Sequence, residues 1–151
     1  MRHADAKTIY LKDYQALEYG IDTTVLHFEL FEEFAVVEST LDMYKSPAAQ
    51  ELMLHGRDLV LEELRLNDRV LSEDQYTLTD DSLTISNLDA ILGEHSDTFT
   101  LFCRTRIEPQ NNTALEGLYK SGRMFCTQCE AEGFRRITFY LDRPDVMSRF
   151  T

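Results

Sequence analysis

Three cysteines (Cys103, Cys126, Cys129) are too few for a disulfide framework, so the sequence points to a reducing compartment. No apolar h-region follows the first residues, Met1-Arg2-His3-Ala4-Asp5, and no run of 18 apolar residues occurs anywhere. Neither export nor a membrane span is therefore expected. Basic residues are scarce: 15 Lys and Arg against 27 Asp and Glu leave a net charge of −12. A surface of that sign repels polyanions, which excludes nucleic acid and anionic membrane as natural partners. The H-E-x-x-H zinc signature, the G-x-S-x-G elbow, a phosphate-binding glycine loop and an EF-hand loop are all missing from the 151 residues. Internal repeats and low-complexity segments are missing as well.

What is present is the composition of a folded domain. Hydrophobic residues make up 43% and charged ones 28% of the chain, too apolar for disorder. The charge is uneven. Residues 58–81 carry eight acids against Arg65 and Arg69, whereas residues 119–151 carry six bases against four acids. The first stretch reads as a solvated face, and the second as a surface whose arginines await partners.

Periodicity to about residue 108 is that of strands. Leu26, Phe28 and Leu30 alternate with His27 and Glu29, and Val37, Leu41 and Met43 share a face of a second strand, with a connection at Phe31 to Phe34. Asn67-Asp68 and Asp80-Asp81 each separate two short alternating runs, as hairpin turns do. Phe99, Leu101, Cys103, Thr105 and Ile107 make the longest clean alternation. The expected fold class is all-β, mainly antiparallel, as a sandwich or a strongly curved sheet. Helix signals are confined to Pro47–Leu54 and Leu88–Leu92.

Beyond Pro109, residues 117–133 hold three of the six glycines and two of the three cysteines, and read as loop more than strand. Such loops on a rigid scaffold are where function concentrates. Arg135–Leu141 reads as a strand, and Asp142-Arg143-Pro144-Asp145 as a helix start with Asp142 at the N-cap. A chain ending at Thr151 within that helix is expected to be one piece of a longer polypeptide.

Two constellations carry possible chemistry. Cys126-Thr127-Gln128-Cys129 is a C-x-x-C pair, which serves redox exchange or half of a zinc site. Only Cys103 and four scattered histidines (His3, His27, His55, His95) remain as further ligands, so two semi-buried thiols lining a loop is the favoured reading. Gln128 and Glu130 are two apart, and in an extended segment both would face one pocket. An amide oxygen beside a carboxylate suits an ammonium group. Two exposed polar residues in a turn is the plainer alternative.

The same residues carry a resemblance. Asn112-Thr113-Ala114-Leu115-Glu116-Gly117-Leu118-Tyr119, then Phe125-Cys126-Thr127-Gln128-Cys129-Glu130-Ala131-Glu132-Gly133-Phe134-Arg135-Arg136-Ile137, then Leu141-Asp142-Arg143-Pro144-Asp145-Val146 resemble the N-terminal domain of the aminopeptidase N family, most of all its cytoplasmic bacterial branch. The opening Tyr10-Leu11-Lys12-Asp13-Tyr14 is similar to the start of those proteins. The resemblance implies a saddle-like β domain, residues 1–151, ahead of a catalytic zinc domain that lies outside this chain. It implies a hydrolase acting on the free N-terminus of peptides, with the domain docked on its own catalytic domain in cis. Gln128 and Glu130 are then substrate-binding residues for the amino end. Zinc belongs to the complete enzyme, while this chain holds no catalytic residue and no metal ligand and is expected to be inactive alone. The rival from another class is a stand-alone β-sandwich binding module with the Cys126 loop as its site.

Overall fold

The computed structural model describes residues 10–93 and 96–151, so His3 and His95 fall outside the described residues. Eleven strands and one short helix follow in the order β1 (Tyr19–Leu30), β2 (Ala35–Lys45), β3 (Leu52–His55), β4 (Val60–Leu66), β5 (Arg69–Val70), β6 (Tyr76–Leu78), β7 (Ser82–Ile85), α1 (Leu88–Leu92), β8 (Thr98–Ile107), β9 (Gly117–Ser121), β10 (Met124–Gln128) and β11 (Arg149–Phe150). They form a six-stranded sheet in the order β11-β1-β2-β8-β4-β5, a three-stranded sheet β3-β7-β6 and the hairpin β9-β10. Every pairing is antiparallel except that of β11 with β1. The all-β expectation therefore holds.

The alternation seen in the sequence is the sidedness of the large sheet. On β8, Phe99, Leu101, Cys103, Thr105 and Ile107 are buried, and opposite them on β2 lie Met43, Leu41, Ser39, Val37 and Ala35. Each fully buried aliphatic side chain there contributes about 1.5–3 kcal/mol over an exposed one. Leu52, Leu54, Leu83 and Ile85 of the small sheet complete the same core, which makes the two sheets opposing layers. A bulge at Asp22 lets Ile21 and Thr24, three residues apart, both point inward. The outer face is polar: Arg104 of β8 pairs with Glu38 of β2 and Glu62 of β4.

The turns follow local chemistry. Asn67 and Asp68 adopt φ of 47° and 63°, the doubly left-handed pair that closes a two-residue hairpin with the right twist. The Asp80-Asp81 turn likewise joins β6 to β7, where the Thr79 N–H donates to the Ser82 carbonyl at 2.9 Å. Phe31 and Phe34 stack at 4.6 Å in the connection between β1 and β2.

Four local expectations are corrected. Pro47–Leu54 is not helical: a turn closed by the Ala49 N–H on the Ser46 carbonyl leads straight into β3. Residues 117–133 are less loop than expected, because β9 and β10 pair along their full lengths. Arg135–Leu141 is not a strand but a 3-10 turn at Phe134–Arg136 followed by a buried crossing segment. That segment joins the small sheet only through the Tyr140 and His55 bridge. No helix starts at Asp142, and the chain instead reaches β11, where the Thr151 N–H donates to the Thr24 carbonyl at 2.9 Å. A chain ending inside a helix is thus no longer an argument for a longer polypeptide.

Candidate functional site

The hairpin β9-β10 has two unlike faces, and this decides the fate of both constellations. Phe125 and Cys129 pack against a small apolar cluster of Ala35, Val37, Ile107, Leu118 and Ile137. Cys126 and Gln128 belong to the other face, as alternate residues of a strand must. There Met124 is 66% exposed and Gln128 is exposed too. The two thiols of the C-x-x-C segment therefore point to opposite sides of the ribbon. Burial, with the Asp142 charge beside it, pushes the Cys129 thiol above its usual range, and burial alone pushes Cys103 up to about 12. Such thiols are poor ligands and poor nucleophiles. Among the described residues, no three His, Cys, Asp or Glu side chains converge as a metal site would require. A metal does not fit the residues of this domain.

Gln128 ends β10, and Glu130 sits in the turn that follows, both exposed. The Gln128 amide donates to the main-chain oxygen of Glu130 at 3.3 Å, which ties the two positions together. The peptide bond between Glu130 and Ala131 is cis. Glu130 borders a shallow cleft of about 160 Å³ with Arg57, Glu116, Gly133, Arg135 and Arg136. Each of those arginines already has acidic partners. Arg135 pairs with Asp142 at 2.8 Å and Glu132 at 3.1 Å, Arg136 with Asp58 and with Glu116 at 3.2 Å, and Arg57 with Asp81. Glu130 takes no part in the ion pairs among the described residues, so its charge is available to an incoming cation.

The floor of the site is the segment from Arg135 to Asp142. Asp142, nearly buried, accepts from both the Arg135 main-chain N–H at 3.0 Å and its Nε at 2.8 Å. Its own N–H donates to His55 Nδ1 at 3.2 Å. Burial and the Arg135 guanidinium hold the His55 imidazole below its usual pKa, which suits a ring whose Nδ1 must accept. Sequence reasoning missed this lock because its partners are far apart in the chain. It also missed the close approach of Gly117 and Gly133, although glycine beside a strand end is a readable signal.

The expected surface of waiting arginines is corrected. Lys120 pairs with Glu32, Arg143 with Asp145 and Arg149 with Asp22, in addition to the pairs of Arg135 and Arg136. The basic residues of 119–151 are mostly satisfied within the domain. Phe139, expected to be half-covered, is buried against Gly56, while Phe150 is 55% exposed.

Comparison with known proteins points the same way as the site. Residues 17–151 match the Peptidase M1 N-terminal domain. Aminopeptidase N of Caulobacter vibrioides is 39% identical over 100% of this chain and 17% of its own length. Aminopeptidase N of Escherichia coli is 43% identical over 94% of the chain and 15% of its own length. The chain thus spans about a sixth of the relatives it matches. Among solved structures, Legionella pneumophila aminopeptidase A in complex with aspartic acid superimposes with a TM-score of 0.81 at 29% identity, over 93% of this chain and 16% of that one. Native yeast LTA4 hydrolase shares the fold at a TM-score of 0.69 and 19% identity, over 88% of this chain and 22% of that one.

Proposed function

Because this chain belongs to the M1 peptidase N-terminal domain family, we propose that it serves a zinc aminopeptidase as the domain that helps hold the amino end of the peptide substrate. The observation that carries the reading is Glu130. Its carboxylate stands among three arginines yet pairs with none, beside a Gln128 whose amide N–H is already spent on the Glu130 main chain. That leaves a negative charge and a neutral amide oxygen as acceptors, and an α-ammonium offers three donors and one positive charge. A peptide bond in the same place offers one donor and no charge, so the pair selects chain ends over chain interiors. The charge-assisted hydrogen bond is the stronger of the two contacts.

In this reading the metal and the hydrolytic groups belong to a catalytic domain of the same polypeptide, docked in cis over the exposed face of β10. Covering that face removes water from Glu130 and strengthens its attraction for a cation. The proposed setting is cytoplasmic, supported by three cysteines that form no disulfide. Among the described residues, no helix is long and apolar enough to cross a membrane. Peptides are the proposed partners, and the charge of −12 argues against nucleic acid.

The test is to purify the complete polypeptide and the 151-residue chain separately. The complete protein is expected to hydrolyse an aminoacyl anilide and to lose that activity to a chelator. The 151-residue chain is expected to show neither activity nor stoichiometric zinc. Tightly bound zinc in the short chain, or a complete protein indifferent to chelation, contradicts the reading.

A further inference from the structure

We infer that Gly133, backed by Gly117, is a positioning residue for the Gln128–Glu130 turn, fixing where the Glu130 carboxylate stands. This rests on the reading of Glu130 as the amino-end anchor. Gly133 has φ −90° and ψ −14°, a conformation open to any residue, so backbone freedom is not why glycine stands there. Space is the reason. A Cβ on Gly133 would lie 2.5 Å from the Gln128 carbonyl oxygen, 3.0 Å from the Cys129 Cα and 3.2 Å from the Gly117 nitrogen. All three are main-chain atoms, which cannot rotate aside as a side-chain tip can.

Those contacts press on one place. Gly117 and Gln128 are the last pair of the β9-β10 ladder, and Gly133 lies against both. The Gly133 N–H donates to the Cys129 carbonyl at 2.9 Å, closing the turn that carries Glu130. Its own carbonyl accepts from the Arg136 N–H at 3.1 Å, which links the turn to the Arg135 and Asp142 lock. Gly117 has φ +71°, and a Cβ there would meet the Arg136 Cβ at 2.6 Å. A methyl group at Gly133 must therefore push the Gln128–Cys129 main chain outward by several tenths of an ångström. Glu130, next in the chain, moves with it. Displacement of a group that holds a substrate in register costs up to about 100-fold per ångström.

The test is a double-mutant cycle of Gly133→Ala and Glu130→Gln in the complete polypeptide, read as kcat/KM on an aminoacyl anilide with zinc content and Tm alongside. Gly133→Ala is expected to lower kcat/KM by roughly 10-fold in the parent. In the Glu130→Gln background it should lower it by less than about two-fold, because the charge it would misplace is already gone. The affinity lost should be confined to ligands bearing a free α-ammonium, with deaminated analogues binding as before. Gly122→Ala is the control: its φ is +61°, but nothing lies within 4 Å of a Cβ there, and kinetics should not change. If Gly133→Ala does not fold, Gly117→Ala takes its place in the cycle with the same expectation. Unchanged kinetics in a folded glycine variant, or an equal loss in both backgrounds, overturns the proposal. A Glu130→Gln variant that is itself fully active overturns the anchor reading first, and that result is visible without any glycine variant.

Discussion

The Gln128 side-chain amide and the Glu130 main-chain oxygen lie 3.3 Å apart, so the residue that ends β10 also braces the turn that follows it. The brace uses an N–H of Gln128 and leaves its amide oxygen and the Glu130 carboxylate pointing away from any protein donor among the described residues. Removing it should loosen the turn without removing the charge. Gln128→Ala in the complete polypeptide is expected to reduce kcat/KM by about 3- to 10-fold, the worth of roughly one neutral hydrogen bond. Steady-state kinetics on an aminoacyl anilide provide the check, and a loss above that of Glu130→Gln would reverse the ranking of the two residues.

The lock beneath the turn should be a matter of stability. Asp142 is nearly buried and accepts two hydrogen bonds from Arg135, whose own side chain is largely covered. Asp142→Ala leaves that guanidinium without its main partner and an N–H without an acceptor. The expected loss is about 3–5 kcal/mol, read as a fall in the urea midpoint of the purified chain.

Stability should also depend on pH through His55. Burial and the nearby Arg135 lower its pKa in the folded state below the ordinary 6.5. The unfolded chain therefore binds more protons, and stability is complete above about pH 6.5 and declines as pH falls through the folded pKa. The carboxylates with lowered pKa, Asp145, Glu63 and Asp74, titrate at lower pH and leave this window to His55. His55→Asn keeps an acceptor for the Asp142 N–H without a titrating group. It is expected to flatten the decline in urea midpoint between about pH 7.5 and about pH 5.5. An equal slope in both proteins would assign the dependence elsewhere.

The two thiols of the C-x-x-C segment should behave independently. Cys129 packs inward with Phe125, and Cys126 faces the other side of β10. Mild oxidation of the purified chain is expected to leave no Cys126–Cys129 disulfide, and alkylation should reach Cys126 before Cys129. A bridged peptide in the mass spectrum would show that the ribbon opens readily.

Legibility in the sequence followed the range of the forces involved. The Asn67-Asp68 turn and the alternation of Phe99 to Ile107 depend on neighbours in the chain, and both stand as read. Gly117 and Gly122 read as loop residues, yet one opens β9 and the other sits in the turn between β9 and β10. The run from Ile137 to Asp142 is buried residue after residue, because it is covered on both sides, and no single-face pattern announces that. Asp142 has the neighbours of an N-cap, but its carboxylate turns back to the Arg135 N–H, seven residues earlier. For the site, residue types and spacing pointed to Gln128 and Glu130. The contact between them is to the Glu130 main chain, where the sequence had suggested two side chains aimed into one pocket.

The central claim is that the Glu130 carboxylate receives the substrate's α-ammonium, and Glu130→Gln in the complete polypeptide tests it most directly. The substitution keeps shape and removes charge. Leaving the ammonium without its charged partner costs on the order of 2–5 kcal/mol. The account predicts that kcat/KM on an aminoacyl anilide falls by at least about 10-fold, with zinc content and Tm unchanged. Parent-level kcat/KM in a folded, zinc-loaded Glu130→Gln enzyme would contradict it.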